Sequence, residues 1–142
     1  MLTAKPLGAD RVSRATGAAV GTGADILIAG FVVEGSQPAT VLIRGIGPAL
    51  ANYGITGALT TPVLTVFDGS GTQIDTNSGW SSTAANELAV ETAEAEVGAF
   101  ALTSGSADSA LVLSLSPGTY SAQVTGGDGS TGIALVEVYQ VP

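Results

Sequence analysis

Apolar and polar residues alternate along the last third of the chain, which is the pattern of β-strands with one buried face. The alternation predicts strands over residues 111–115, 120–125 and 133–141, separated by turn sequences at 116–119 and 126–130. We expect these strands to follow one another as an antiparallel meander. The last one is apolar on both faces, which favours a central strand or one covered by a neighbour.

Two earlier segments, residues 26–34 and 40–46, are also apolar on both faces, and we interpret them as partner strands. Their outer side therefore needs a helix, a long loop or a partner molecule as cover. Residues 63–67 and 73–77 flank an Asp-Gly turn, which is a strong hairpin signal. A short edge strand is expected over residues 11–16.

One long segment, residues 82–97, has the spacing of a helix that ends before Gly98. We predict that this helix packs Leu88 and Val97 against a sheet. The glutamates expected on its opposite, solvated face are Glu87, Glu91 and Glu94.

These patterns predict an all-β fold, a jelly-roll-like sandwich of two antiparallel sheets with one helix around residues 83–97. A short helical turn is expected around residues 48–53, since Pro48 suits a first helical position. Residues 15–142 would form this single domain, preceded by an extended N-terminal arm over residues 1–14.

Charge is scarce and unevenly distributed. Only 11% of the 142 residues are charged, against about 25% in a typical soluble domain. Residues 1–14 carry three bases and one acid, a net charge of +2, whereas residues 15–142 carry one base and eleven acids, a net charge of −10. An acidic body argues against nucleic-acid binding, and no apolar run reaches the length of a membrane span.

The basic arm on an acidic body suggests contact between copies of the chain. We predict that Lys5, Arg11, Val12 and Arg14 contact a neighbouring subunit. The alternative is a flexible terminus whose charges serve solubility. The high apolar content, 45%, has two explanations as well: many small residues, or apolar surface covered by another copy.

Catalytic chemistry finds little support in the sequence. The chain has no cysteine and no histidine, and its only lysine, Lys5, lies in the predicted arm. We therefore predict no catalytic site, no cofactor and no metal site. Asp68, Ser70 and Asp75 offer oxygen ligands that suit calcium, but a hairpin turn explains Asp68 equally well.

A few residues are expected to have structural roles. Arg44 and Glu137 lie inside predicted strands, and either they pair across the sheet or each points to solvent. Trp80, the only tryptophan, is expected in the core, with ligand stacking as the alternative.

Several motifs resemble the bacterial pre-peptidase C-terminal type of β-sandwich. These are an apolar strand followed by Asp-Gly-Ser-Gly and a returning strand that ends at Asn77, and later an element of the form L-x-P-G-x-Y-x-x-x-V-x-G. The residues of that element are Leu115, Pro117, Gly118, Tyr120, Val124 and Gly126.

Nearly the whole chain is similar to a module found, often in tandem, near the C-termini of large secreted bacterial proteins. That resemblance implies an extracellular or cell-surface setting and a non-catalytic role. We therefore predict a structural module that self-associates, as a filament or surface-layer subunit, or that joins other surface proteins. The alternative is a carbohydrate- or matrix-binding accessory module.

Overall fold

The computed structural model describes residues 26–142 in full and, before them, the backbone of two strands. In the part of the chain that the structure describes, nine strands are arranged as two sheets that face each other. The strands are β1 Pro6–Leu7, β2 Val12–Val20, β3 Leu27–Val33, β4 Ala39–Ile46, β5 Pro62–Asp68, β6 Gln73–Asn77, β7 Ser109–Leu115, β8 Gly118–Gly126 and β9 Gly132–Val141. The helices are α1 Ala84–Val97 and two short 3₁₀ helices, Pro48–Tyr53 and Gly127–Gly129. The predicted all-β sandwich is therefore confirmed.

One sheet has the strand order β1-β3-β8-β5-β6, and the other has the order β2-β9-β4-β7. All neighbours run antiparallel except β1 and β3, which pair in parallel. The hairpin of β5 and β6 and the central position of β9 agree with the sequence. β2 continues beyond the predicted strand to Val20, and it crosses the boundary predicted between residues 14 and 15.

Two pairing predictions are wrong. β3 and β4 were expected to pair, but they belong to different sheets, because the segment that joins them crosses from one sheet to the other. The expected meander is also absent, since β7 and β9 lie in the four-stranded sheet while β8 lies in the five-stranded sheet. Alternation identifies the buried face of a strand but not the sheet that supplies the partner.

The core consists of two layers. The larger one fills the space between the sheets, where alternate residues such as Phe31, Val66 and Val136 are fully buried. The second layer lies between the outer face of the four-stranded sheet and α1, and it contains Leu42 and Trp80. Helix α1 thus supplies the outer cover that the two-sided strands β4 and β9 require.

Helix α1 begins two residues after the start of the predicted segment and ends at Val97 as predicted, and Val97 is buried as expected. The helix is nevertheless rotated about its axis relative to the prediction. Thr83 caps its start by accepting a hydrogen bond from the Asn86 amide, and Gly98 ends it with a left-handed conformation. Leu88 is 66% exposed, so its predicted packing against the sheet is wrong. Glu94, expected in solvent, is buried instead. Both differences have one cause, since Arg44 is buried on the outer face of the sheet and attracts the carboxylate of Glu94.

Candidate functional site

The cation beneath α1 is Arg44, whose side chain is fully buried in the centre of the four-stranded sheet. Glu137 of β9 lies directly opposite Arg44 of β4 in the strand register. Its Oε1 atom accepts hydrogen bonds from Arg44 Nε at 2.9 Å and from Arg44 Nη2 at 2.5 Å. The predicted cross-strand pair therefore forms, and the alternative, in which each residue points to solvent, is wrong.

Two further groups close around the guanidinium. Arg44 Nη1 donates to Oε2 of Glu94 at 2.9 Å and to the carbonyl oxygen of Phe100 at 2.7 Å. The Phe100 ring lies over the guanidinium, with 4.3 Å between the ring centroid and Cζ. Glu94 therefore fixes α1 to the sheet by a buried ion pair, while Phe100 fixes the segment that follows the helix.

Tyr139 completes the cluster on the side of Glu137. Its hydroxyl group donates to Glu137 Oε2 at 2.6 Å, so both carboxylate oxygens have partners. Burial and the bond to the carboxylate raise the pKa of Tyr139 to about 12.

Burial and charge act on the other two groups in opposite directions. Burial alone lowers the pKa of Arg44, but the charge of Glu137 and the hydrogen bonds to both carboxylates raise it above the ordinary value. The pKa of Glu94 is raised, because its burial outweighs the bond from Arg44. The cluster thus holds a permanently charged guanidinium, and Glu94 takes up a proton more readily than an ordinary glutamate.

The cluster of Arg44, Glu94, Glu137 and Tyr139 is enclosed. Each of these side chains is at least nine-tenths buried, and the charged ones bond to one another, to Tyr139 and to the carbonyl oxygen of Phe100. A substrate would find no exposed nucleophile or base there. The arrangement holds the helix on the sheet, which is a structural task.

A second buried acid, Asp108, holds the start of the first 3₁₀ helix. Its Oδ1 atom accepts hydrogen bonds from the amides of Gly47 at 2.8 Å and Ala49 at 3.2 Å, and its Oδ2 atom accepts one from the Ser106 hydroxyl at 2.8 Å. Asp108 is fully buried, and its carboxylate oxygens accept from two backbone amides and one serine hydroxyl of the same chain. This role is also structural, since the carboxylate satisfies amides that the helix itself leaves unpaired.

Sequence reasoning did not find Glu94 or Asp108. Glu94 belongs to a stripe at positions 90, 93, 94 and 97, which is the spacing i, i+3, i+4, i+7 of a buried helix face. The apolar Val90 at the start of this stripe could have indicated which helix face is buried. Asp108 had no comparable pattern, because its partners, Gly47 and Ala49, are distant in sequence.

The aromatic residues form no platform for stacking a ligand. All seven lie in residues 26–142, and Tyr53, at 60%, is the one with an exposed side chain. Trp80 is fully buried and donates from Nε1 to the carbonyl oxygen of Thr103 at 3.0 Å, so the expectation of a core residue is confirmed. The carbohydrate-binding alternative has no support from these positions.

The element that carries the family resemblance forms the corner between β7 and β8. Pro117 lies between the two strands, and Gly118 begins β8. The Tyr120 ring stacks on Phe31 with 5.6 Å between the centroids, and its hydroxyl donates to the carbonyl oxygen of Ser116 at 2.5 Å. Tyr120 therefore fixes the point at which the chain changes sheets.

The oxygen atoms considered for calcium serve the β5–β6 hairpin. Asp68 Oδ1 accepts hydrogen bonds from the hydroxyl of Ser70 at 2.7 Å and from the amides of Ser70 and Thr72 at 3.0 Å each. The Ser70 hydroxyl is also the main cause that lowers the pKa of Asp68. Asp75 accepts instead from the amide of Thr76 at 2.8 Å. Within the described residues, acidic side chains do not converge in threes as a metal site requires.

The predicted arm is only partly described. Lys5 and Arg11 lie outside the described residues, while Val12 and Arg14 belong to β2, whose side chains are not described. The described backbone pairs within the chain, with Pro6–Leu7 along β3 and Val12–Val20 along β9. Contact of residues 1–14 with a neighbouring subunit stays a prediction.

The surface of residues 26–142 carries charge of one sign. Arg44 is the only base in this part of the sequence, and it is fully buried. The acids that remain at least partly accessible are Glu34, Asp68, Asp75, Glu87, Glu91, Glu96 and Asp128. In the same range, each helix is too short or too polar to cross a membrane.

Comparisons with known proteins concern the fold. No family model matches the chain, and no curated protein matches it significantly. Among solved structures, it is similar to the pre-peptidase C-terminal domain of a collagenase from Bacillus anthracis, with 11% identity and a TM-score of 0.49. The similarity covers 97% of this chain and 96% of that chain. The matched structure is a pre-peptidase C-terminal domain, the type of domain that the sequence motifs resemble.

Proposed function

We propose that this chain is a non-catalytic structural module of extracellular or cell-surface bacterial proteins, and that it assembles with further copies of itself into filaments. The N-terminal segment, residues 1–14, supplies the contact. One observation carries the proposal: the surface of residues 26–142 presents acids without bases, while the three bases other than the buried Arg44 lie within the first 14 residues.

This separation of charge favours contact between one copy's N-terminal segment and another copy's acidic surface. Two acidic surfaces repel each other, so copies approach most favourably where a basic segment meets an acidic one. A contact between two different surfaces is heterologous, and when its rotation does not close, it produces filaments.

The non-catalytic part of the proposal rests on the polar residues of the interior. The groups with perturbed pKa values beneath α1, namely Arg44, Glu94 and Tyr139, have partners in one enclosed cluster. Active sites need such groups in an accessible cleft, whereas here they are covered by the helix.

Light scattering at increasing protein concentration tests self-assembly, and negative-stain imaging of the same samples tests for filaments. We expect particles whose mass grows with concentration. A variant with Lys5, Arg11 and Arg14 replaced by glutamine should shift toward monomer, whereas Glu34→Gln should not. A full-length chain that remains monomeric at high concentration contradicts the proposal.

A further inference from the structure

We propose that Asp128 and Gly129 form a site of spontaneous backbone modification, at which the aspartate converts to isoaspartate through a succinimide ring. The chain contains the sequence Asp-Gly-Ser twice, at residues 68–70 and 128–130. Glycine after aspartate favours ring closure, because it has no side chain to hinder the approach of its amide nitrogen. The sequence therefore marks both places equally, and the structure distinguishes them. This inference is independent of the proposed self-assembly.

The reaction needs only the two residues and water. The amide nitrogen of Gly129 attacks the side-chain carboxyl carbon of Asp128, a C–N bond forms, and the carboxyl hydroxyl group leaves with the amide proton as water. Water then adds to one of the two carbonyl groups of the ring. Opening at the side-chain carbonyl restores aspartate, whereas opening at the main-chain carbonyl leaves a free α-carboxylate and a chain that runs through the side-chain carbon. The product is an isomer of the original chain with one more carbon atom in its backbone.

Two conditions control ring closure. The neutral carboxyl group loses its oxygen far more easily than the carboxylate does, so hydrogen bonds that stabilise the carboxylate slow the reaction. The backbone must also rotate until the amide nitrogen faces the carboxyl carbon, so a residue held in a strand reacts slowly. The two Asp-Gly-Ser sequences differ in both respects.

Asp68 is protected by its hairpin. Its Oδ1 atom accepts hydrogen bonds from the hydroxyl and the amide of Ser70 and from the amide of Thr72, and the bond from the hydroxyl is the main cause of its lowered pKa. Asp68 is also the last residue of β5, where it pairs with Tyr120 of β8. Its carboxylate is therefore stabilised, and its backbone is held.

Asp128 lacks this protection. It is exposed, and the side-chain hydrogen bonds at its turn join Thr61 to Gly127 and to Ser130, while none from a described residue reaches the Asp128 carboxylate. In the part of the chain that the structure describes, Asp128 is also the one residue other than glycine with a positive φ, 53°. This conformation is strained for an L-residue, because Cβ crowds a carbonyl oxygen. Isomerisation relieves the strain, since the main chain then passes through Cβ.

The loop around Asp128 is held at its base. The amide of Gly127 donates to the carbonyl oxygen of Thr61 at 2.7 Å, and the hydroxyl groups of Thr61 and Ser130 share a hydrogen bond of 2.7 Å. A carbon atom added to Gly129 would have nothing within 4 Å. The ring and the attacking water therefore fit without unfolding, and the additional backbone carbon lengthens the loop between its two anchors.

Peptide mapping of the full chain measures both sites in one sample. The folded chain is incubated in mildly acidic buffer, and chymotrypsin then separates Asp68 from Asp128, because Trp80 and Tyr120 lie between them. Mass spectrometry with electron-transfer fragmentation identifies isoaspartate, and it detects the succinimide as a species lighter by one water. We expect isoaspartate at Asp128 to accumulate at least tenfold faster than at Asp68. Equal rates at the two sites, or no isoaspartate at Asp128, would overturn the inference.

Incubation in urea separates the effect of the fold from that of the flanking sequence. The unfolded chain exposes both Asp-Gly-Ser sequences alike, so we expect the two rates to become similar. A preference for Asp128 that persists unchanged in urea would assign its cause to the flanking sequence and overturn the structural argument. Asp128→Glu, which would have to close a larger ring, should lose the modification at this position in the folded chain.

A gain of modification at the protected site provides a second test. Ser70→Ala removes the hydroxyl group that binds the Asp68 carboxylate, and we expect isoaspartate to form at Asp68 several times faster, with an unchanged rate at Asp128. Ser130→Ala is the matched control. It should not raise the rate at Asp128 by a comparable factor, because the Ser130 hydroxyl bonds to Thr61 rather than to the aspartate. An unchanged rate at Asp68 in Ser70→Ala would overturn this explanation of the selectivity.

Discussion

Replacing Arg44 by methionine tests the buried cluster most directly. Methionine has a similar length and fills irregular apolar space beside aromatic rings, so the substitution removes charge while leaving little cavity. It leaves Glu94, Glu137 and the carbonyl oxygen of Phe100 without the four hydrogen bonds that the guanidinium donates. Two buried carboxylates would then face each other with no cation.

The expected loss follows from that count. Removing one partner of a buried ion pair costs about 3–5 kcal/mol, because the remaining charge is neither solvated nor paired. In small proteins the free energy of unfolding falls by about 1–3 kcal/mol per molar urea, so such a loss lowers the urea concentration at the unfolding midpoint by at least about 1 M. Urea unfolding followed by Trp80 fluorescence measures this, since the only tryptophan is buried beside α1.

The control removes all charge from the cluster. A variant with Arg44→Met, Glu94→Leu, Glu137→Leu and Tyr139→Phe leaves no unpaired polar side chain there, and we expect stability close to that of the original chain, or about 1–4 kcal/mol higher. If the fourfold variant loses as much as Arg44→Met, packing rather than charge carries the effect. A midpoint for Arg44→Met that equals the original would refute the account altogether.

Three further substitutions have defined outcomes. Glu94→Gln should abolish one part of the pH dependence of stability. Because the pKa of Glu94 is raised, the folded state binds its proton more tightly, and the original chain loses stability as the pH rises from 4.5 through that raised pKa. Thermal unfolding at a series of pH values should show this loss in the original chain and not in Glu94→Gln. Asp108→Ala should cost about 1–3 kcal/mol in urea unfolding, because two helix amides lose their acceptor, and a change near zero would contradict this. Leu88→Ala should change stability by less than about 0.5 kcal/mol and Val90→Ala by more than about 1 kcal/mol, whereas the reverse order would support the helix face predicted from sequence.

The sequence predicted most strands and both longer helical segments, because these depend on local patterns. The alternation around Phe31 and Val136 reproduces the buried face of each strand, and the Asp68-Gly69 turn defines the hairpin. The partner of a strand depends instead on contacts distant in sequence. A short connection such as that between β3 and β4 suits a hairpin, yet the chain uses it to change sheets.

The buried cluster was half predictable for a related reason. Arg44 and Glu137 belong to strands, where a charged residue amid apolar neighbours either finds a partner or points to solvent, and the sequence left both alternatives open. Glu94 belongs to a helix with many alanines, so more than one side of the helix is apolar enough to face the sheet. Leu88, the largest apolar residue of the helix, indicated the wrong orientation.

The position of Glu94 links the interior to the surface. Because Arg44 binds Glu94 on the inner side of α1, the exposed glutamates Glu91 and Glu96 are held on its outer side, and the only base of residues 26–142 is withdrawn from the surface. An accessible Arg44 would offset part of the surface acidity that the proposed assembly uses. Single substitutions in the cluster should therefore weaken assembly as well as folding, whereas the variant with Lys5, Arg11 and Arg14 replaced by glutamine should weaken assembly alone. That difference distinguishes loss of the contact from loss of the fold.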